Sequence, residues 1–103
     1  MSTYVTIGRN VDGRPMSPTA WATFKRTVAE ALVYETDGSI VTTAEGFGHW
    51  EGSSEMAYVV VVDRAPRDDS QLDARLRDLA ARYGQEAIAY AVAEVSFAYA
   101  VAR

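Results

Sequence analysis

The pattern of hydrophobic and polar residues predicts strands and helices in turn along the chain. Residues 3–9 alternate with a period of two, which predicts a half-buried strand. Residues 18–32 repeat apolar side chains at steps of three and four after a typical helix start, Ser17-Pro18, which predicts an amphipathic helix. Its apolar stripe is Trp21, Phe24, Val28 and Leu32. The solvated side would carry Lys25, Arg26 and Glu30.

The middle of the chain predicts a long β-hairpin followed by a second helix. After the turn residues Asp37-Gly38, residues 40–50 and 56–63 form the two arms, joined near residues 51–54. Residues 70–83 repeat apolar side chains with a helical period, and Gly84 is well placed to end that helix. The stripe of this helix is Leu72, Leu76, Leu79 and Tyr83.

Residues 85–103 carry two conflicting signals, because abundant alanine favours a helix while alternating β-branched and aromatic residues favour a strand. We predict a strand with a bulge or break near Glu94. The order β-α-β-β-α-β is that of ferredoxin-like folds. We therefore expect one α+β domain over residues 1–103: a four-stranded antiparallel sheet, two helices on one face and an extended C-terminal strand. Within it, we expect the first and third strands to lie parallel at the centre.

Composition excludes several classes of site. The 103 residues include no cysteine and one histidine, which excludes disulfides, cysteine nucleophiles and His-rich metal sites. We predict no metal and no cofactor. A formal net charge of −4 argues against binding to nucleic acid. The sequence shows neither a signal-peptide pattern nor a membrane-spanning apolar run, so we expect a cytoplasmic protein that does not bind membranes.

Several short motifs, in their order and spacing, resemble the domain-of-unknown-function family DUF3574. The resemblance runs from about Ile7 to Phe97. It rests on Ser17-x-x-x-Trp21-x-x-Phe24, Gly48-His49-Trp50, Glu55 and Tyr83-Gly84-Gln85-Glu86. The family has no established activity, so the resemblance implies no catalytic residue. Many members look like exported bacterial proteins, whereas this chain shows no leader and has a shorter hairpin tip. From these departures we expect a phage-encoded or cytoplasmic relative of the family.

The first candidate site is the first hairpin arm, which carries His49 and Trp50 beside two glycines. His49 could act as a general acid or base supported by a nearby carboxylate, with Trp50 as a stacking wall. The carboxylates considered are Glu45, Glu51 and Glu55. The alternative, which we favour, is a structural hairpin with an exposed histidine, because a lone strand histidine seldom catalyses without a nucleophile or metal.

The second candidate site follows from the expected topology. If the ends of strands 1 and 3 share one edge with the starts of both helices, polar and cationic side chains converge there as an anion site. Its candidate residues are Arg9, Asn10, Arg14, Arg64 and Arg67. Acylphosphatases share this topology, so a small enzyme acting on an anionic ester is the alternative function. The simpler interpretation is that acids, such as Asp12, Asp63, Asp68 and Asp69, neutralise these arginines.

The third candidate is an uncovered sheet face. Residues 58–62 are apolar at every position, whereas two helices cover only one face of a sheet. An exposed face of that size favours a homodimer, unless the tail folds back over it. The candidate interface residues are Tyr4, Tyr58, Val60, Val62, Tyr90, Phe97 and Tyr99. We therefore predict a non-enzymatic interaction module that binds itself through this face or the C-terminal strand, with a host protein as a further partner.

Overall fold

The computed structural model describes residues 1–50, 52–94 and 100–102. The elements along the chain are β1 (Ser2–Gly8), β2 (Asn10–Val11), β3 (Arg14–Pro15), α1 (Pro18–Thr36), β4 (Ile40–Trp50), β5 (Ser53–Val62), α2 (Asp69–Arg82) and β6 (Ala89–Ala93). In these parts of the chain, neither helix is both long and apolar enough to cross a membrane.

The main sheet has four antiparallel strands in the order β4-β5-β1-β6, which confirms the predicted ferredoxin-like α+β fold. The expectation that β1 and β5 run parallel is wrong, because Thr3 lies opposite Val62 and Gly8 lies opposite Ala57 in an antiparallel register. The crossover through α1 makes β1 parallel to β4. Since β5 returns from β4 in a hairpin, it lies between these two strands and runs against both.

Both helices pack on one face of this sheet, as predicted. Val5 lies opposite Val60, and Ile7 lies opposite Tyr58, so these four side chains share a face. They belong to the same hydrophobic cluster as the helix residues Trp21, Phe24, Val28, Leu32, Leu72, Leu76 and Leu79. All the residues predicted for the two helix stripes are therefore in the core, except Tyr83, which is half-buried against it.

Helix α1 begins as predicted and ends one turn later than predicted. The Ser17 hydroxyl accepts a hydrogen bond from the Ala20 amide at 3.2 Å. The helix continues to Thr36 because its last turn is buried, and the Thr36 hydroxyl donates to the Leu32 carbonyl at 2.7 Å. Asp37 then ends the helix in a left-handed conformation, with φ 53°.

Lys25 does not lie on the solvated side of α1 as expected. It is half-buried, and its ammonium lies 5.4 Å from the ring centroids of both Trp21 and Tyr58. The same ammonium pairs with the carboxylate of Glu45 in β4. Lys25 therefore ties α1 to the hairpin.

Helix α2 is capped by Asp68 at its start and ends where Gly84 predicts. The carboxylate of Asp68 accepts hydrogen bonds from the amides of Ser70 and Gln71, at 2.9 and 3.2 Å. At the other end, Gly84 has a positive φ of 68°. Tyr83 stacks on Phe24 with the ring centroids 4.5 Å apart, which joins α2 to α1.

Two further segments complete the fold. Residues 10–15 form a small hairpin of β2 and β3, because Asp12 and Gly13 have φ values of 50° and 78° and so allow a tight primed turn. The predicted C-terminal strand is confirmed at Ala89–Ala93, which pairs with β1. Its expected extension over residues 95–99 falls outside the described residues.

Candidate functional site

The structure separates the arginines that were expected to form one anion site. Because β1 and β5 are antiparallel, their C-terminal ends lie at opposite ends of the sheet. Three of the candidates, Arg9, Asn10 and Arg14, follow β1, whereas Arg64 and Arg67 follow β5. The predicted convergence of the five residues is therefore wrong.

Several of these side chains already have partners within the fold. The guanidinium of Arg9 donates through Nε to the Met16 carbonyl at 2.9 Å and lies 3.2 Å from the sulfur of Met56. Arg67 donates to the backbone carbonyl of Tyr34 at 2.5 Å, and its guanidinium lies 5.1 Å from the centroid of the Tyr34 ring. These contacts give both arginines a structural role.

The acids near the arginines do not act as their expected neutralising partners. Asp68 caps α2, and Asp63 accepts from the Ser39 amide at 2.8 Å. Arg64 instead lies 3.8 Å from Asp37, with both side chains exposed. An exposed pair of this kind contributes little to stability.

Most of the predicted interface residues lie on the face that the helices cover. Tyr58, Val60 and Val62 share the core face of β5, and Val60 and Val62 are both 0% exposed. Tyr90 lies opposite Val5 and so points to the same side. The prediction that these four side chains lie on the uncovered face is therefore wrong. Side chains alternate between the two faces along a strand, so an assignment that is one residue out places every side chain on the opposite face.

The face opposite the helices carries small residues for the most part. Tyr4 is the one candidate on it among the described residues, and it lies opposite Val61. The register also places on this face Thr6, Val59, Ala57, Ala44, Gly46, Ala89 and Ala91. Phe97 and Tyr99 fall outside the described residues.

The outer edge of the sheet exposes more apolar surface, and the sequence analysis missed it. Strand β4 is at the end of the sheet, and β5 is its one pairing partner among the described residues. Ile40, Val41 and Phe47 on this strand are 44%, 41% and 77% exposed. The signal available in the sequence was an apolar strand of 11 residues that contains one glutamate, no lysine and no proline. Long apolar edges of this type are sites of strand pairing.

His49 lies on β4 opposite Ser54 and is exposed. Two of the carboxylates considered for it are engaged elsewhere, since Glu45 pairs with Lys25 and Glu55 accepts from the Asn10 amide. Within residues 1–50, 52–94 and 100–102, no group of three His, Asp or Glu side chains is arranged to hold a metal ion. Glu51 is not among the described residues, so its relation to His49 stays a prediction.

A groove of about 600 Å³ lies at the end of the sheet where β1 leads into β2. Its sheet-side wall includes Thr6, Gly8, Gly48, Glu55 and Ala57, and its other wall includes Gln85, Glu86 and Ala87. Asn10 connects the two walls. Its amide donates to Glu55 at 2.7 Å, and its carbonyl accepts from the Gln85 side chain at 3.0 Å.

At the other edge of the sheet, Asp73 of α2 joins the helix to β6. It accepts from the Tyr90 hydroxyl at 2.8 Å and from the Arg77 guanidinium at 2.5 Å. The Arg77 bond, followed by the Tyr90 bond, lowers the pKa of Asp73, and the bond to Asp73 raises the pKa of Tyr90. Asp73 and Arg77 are four residues apart on one helix, so their pairing could be predicted from the sequence. The contact of Asp73 with Tyr90 could not be predicted, because it depends on the register of β6.

Comparisons with known proteins identify similar folds. No family model and no curated protein matches the chain, so the resemblance to DUF3574 stays a prediction. A phage SAM lyase in its apo state matches with a TM-score of 0.52 and 14% identity, over 86% of this chain and 75% of the lyase chain. This match supports the fold alone.

Two further structures match at lower TM-scores. The phage SAM lyase in complex with S-methyl-5'-thioadenosine gives 0.48 and 18% identity, over 86% of this chain and 76% of that one. The divalent cation tolerance protein Cut A1 from Thermus thermophilus gives 0.49 and 19% identity, over 94% and 88%.

Proposed function

We propose that this protein is a non-enzymatic interaction module that associates with copies of itself. The observation that carries the proposal is the outer edge of the sheet, where β4 exposes apolar side chains and pairs with no strand other than β5 among the described residues. Phe47, with 77% of its surface exposed, is the largest contribution. A phage or host protein could add a strand to the same edge, so the protein would act by binding partners.

The edge strand supports this function better than the two surfaces inferred from the sequence. The face of the sheet opposite the helices carries mainly alanine, glycine and threonine. Tyr4 and Val59 also lie on it and are half-buried. Strand β6 is at the other edge but has five residues, three of them alanine. Strand β4 is more than twice as long and bears three large exposed apolar side chains, whereas β6 bears one, Tyr90, at 39% exposure.

The test is the molar mass of the purified protein in solution across a range of concentrations, measured by light scattering after size exclusion. We expect a dimer that dissociates on dilution. Phe47→Ser should raise the dissociation constant at least tenfold. The matched control is Val101→Ser, because Val101 is also an apolar residue with 68% exposure but lies outside the strands and helices. A monomer at every concentration, or equal effects of both substitutions, would contradict the proposal.

A second candidate function is the binding of a small ligand in the groove beside Gly8. Its volume of about 600 Å³ is that of many small-molecule sites. The likeness to the SAM lyase concerns the fold, so it supplies a probe for this groove rather than support for an activity. This candidate function gives no catalytic role to the arginines that lie at opposite ends of the sheet.

The groove can be tested with S-adenosylmethionine and S-adenosylhomocysteine, which differ by the methyl group that makes the sulfur cationic. Since Glu55 is a wall residue with a carboxylate, we expect tighter binding of the cation in calorimetry. Chromatography of the same mixture reports any cleavage. The absence of heat and of product at millimolar ligand would eliminate this candidate without affecting self-association.

A further inference from the structure

Strand β4 offers a regular template for another strand. From Thr42 opposite Val61 to Trp50 opposite Ser53, its register with β5 advances one residue at a time. The one irregularity is between Ile40 and Thr42, at the start of the strand. Natural sheet edges are usually interrupted by proline, lysine or a central bulge, and β4 has none of these along its regular part.

We propose that β4 pairs antiparallel with β4 of a second copy around a two-fold axis at Ala44, which joins two sheets into one. This inference rests on the proposed self-association and specifies its geometry. In this register Ala44 lies opposite Ala44 of the second copy, and residues 42–46 of each strand pair within its regular part. The irregular residues 40 and 41 lie at the two ends of the overlap, opposite residues 48 and 47. Thr42 then lies opposite Gly46, Thr43 opposite Glu45, and Val41 opposite Phe47. A pairing of this kind is isologous and therefore closes as a dimer.

The exposed apolar residues favour this register over its neighbours. With the axis at Ala44, each Phe47 meets a Val41, so two of the three large exposed apolar side chains of β4 cover one another. An axis at Gly46 would place each Phe47 opposite a carboxylate of Glu45. An axis at Phe47 would shorten the overlap and leave Ile40 and Val41 without a partner.

The single charge of the strand supports the same axis. An axis at Glu45 would set the two Glu45 carboxylates directly opposite each other, and like charges in that position are destabilising. With the axis at Ala44, each Glu45 lies opposite Thr43 and reaches the other Glu45 only diagonally, at about 7–8 Å. Each of these carboxylates is also paired with Lys25 of its own chain.

The absence of cysteine from the chain makes this register directly testable. Ala44→Cys would place two thiols across the axis, where opposite Cα atoms are about 4.5–5.5 Å apart, within the range of a disulfide. In glutathione redox buffer we expect a covalent dimer on non-reducing gels to form at least tenfold faster than with Ala74→Cys. Ala74 is a matched control because it is an exposed alanine on the outer side of α2.

A second pair of variants tests the direction and the register together. Thr42→Cys mixed with Gly46→Cys should cross-link to each other faster than either cross-links to itself. A dimer by light scattering in which Ala44→Cys reacts no faster than Ala74→Cys would overturn the register and leave self-association standing. A monomer at every concentration would overturn both.

Discussion

The carboxylate of Glu55 lies over the backbone of Gly8, where a Cβ atom at position 8 would come within 2.4 Å of Oε1. The other oxygen, Oε2, accepts the hydrogen bond from the Asn10 amide. Glycine at position 8 therefore permits a close approach of a side chain from the neighbouring strand. One contact fixes both the end of β1 and the start of the small hairpin.

Gly8→Ala should destabilise the protein by displacing Glu55. The new methyl group forces the carboxylate away, so the half-buried Asn10 amide loses its partner at a cost of about 1 kcal/mol. Urea denaturation measures the change in the free energy of unfolding. Gly46→Ala is the control, because a Cβ there meets open space. If Gly8→Ala costs the same in a Glu55→Ala background, displacement of Glu55 is not the cause.

Val60→Asp should abolish folding, whereas Thr6→Asp should not. Val60 is 0% exposed on the core face, and a buried, unpaired carboxylate costs about 4 kcal/mol or more. Thr6 is exposed on the opposite face of the sheet. Circular dichroism and thermal melts compare the two variants. A folded Val60→Asp protein would show that β5 can turn its other face to the helices.

The strand that holds Val60 shows where sequence reasoning reached its limit. The order of elements, the cap at Ser17 and the helix end at Gly84 could be predicted, because each depends on local periodicity or backbone conformation. Residues 58–62 are apolar at every position, so they contain no period-two signal that assigns a face. The interface prediction for Tyr58 and Val60 failed for that reason.

The prediction of one anion site failed for a different reason, because it depended on the relative direction of two strands that are far apart in the sequence. Whether Arg9 and Arg64 meet depends on the relative direction of β1 and β5, which is set by the pairing of the whole sheet. No motif near either arginine records that direction. The exposed edge at Phe47, in contrast, depends on which strand is outermost, and the ferredoxin-like order already implied this.

Arg75→Met should destabilise the protein more than Arg77→Met. The Glu35 carboxylate is 5% exposed and lies 3.4 Å from the Arg75 guanidinium, so loss of that arginine leaves a buried charge with fewer partners. We expect a loss of about 1–3 kcal/mol in the free energy of unfolding. Arg77 pairs with Asp73 within α2 but is 80% exposed, so its replacement should cost less than about 0.5 kcal/mol in urea. Equal effects would contradict the role given to burial.

The contacts of Asp73 with Arg77 and Tyr90 should affect stability at both ends of the pH range. The pKa of Asp73 is lowered, first by Arg77 and then by Tyr90, so the stabilising effect of these contacts is present above its ordinary pKa and is lost as pH falls through the folded value. The pKa of Tyr90 is raised, so its effect is present below the ordinary value near 10.0 and is lost as pH rises through the folded value.

Asp73→Asn shows how much of the shift in the Tyr90 pKa is due to Asp73. We expect the pKa of Tyr90 to fall toward its ordinary value, as followed by NMR of labelled tyrosine with Tyr90→Phe for assignment. Asp78→Asn is the control, because Asp78 makes the same type of pair with Arg82. An unchanged Tyr90 titration in Asp73→Asn would show that the hydroxyl has another acceptor in solution.

The position of Asn10 has a consequence for the order of folding events. Its backbone is bonded to Glu55 and Gln85, which lie 45 and 75 residues further along the chain. Both bonds require loops of those lengths to close. The chain loses the entropy of these loops before the contacts can form. We therefore expect this junction to assemble after the folding transition state. Glu55→Ala and Gln85→Ala, which remove the side chains bonded to the Asn10 backbone, should each accelerate unfolding and leave the refolding rate nearly unchanged.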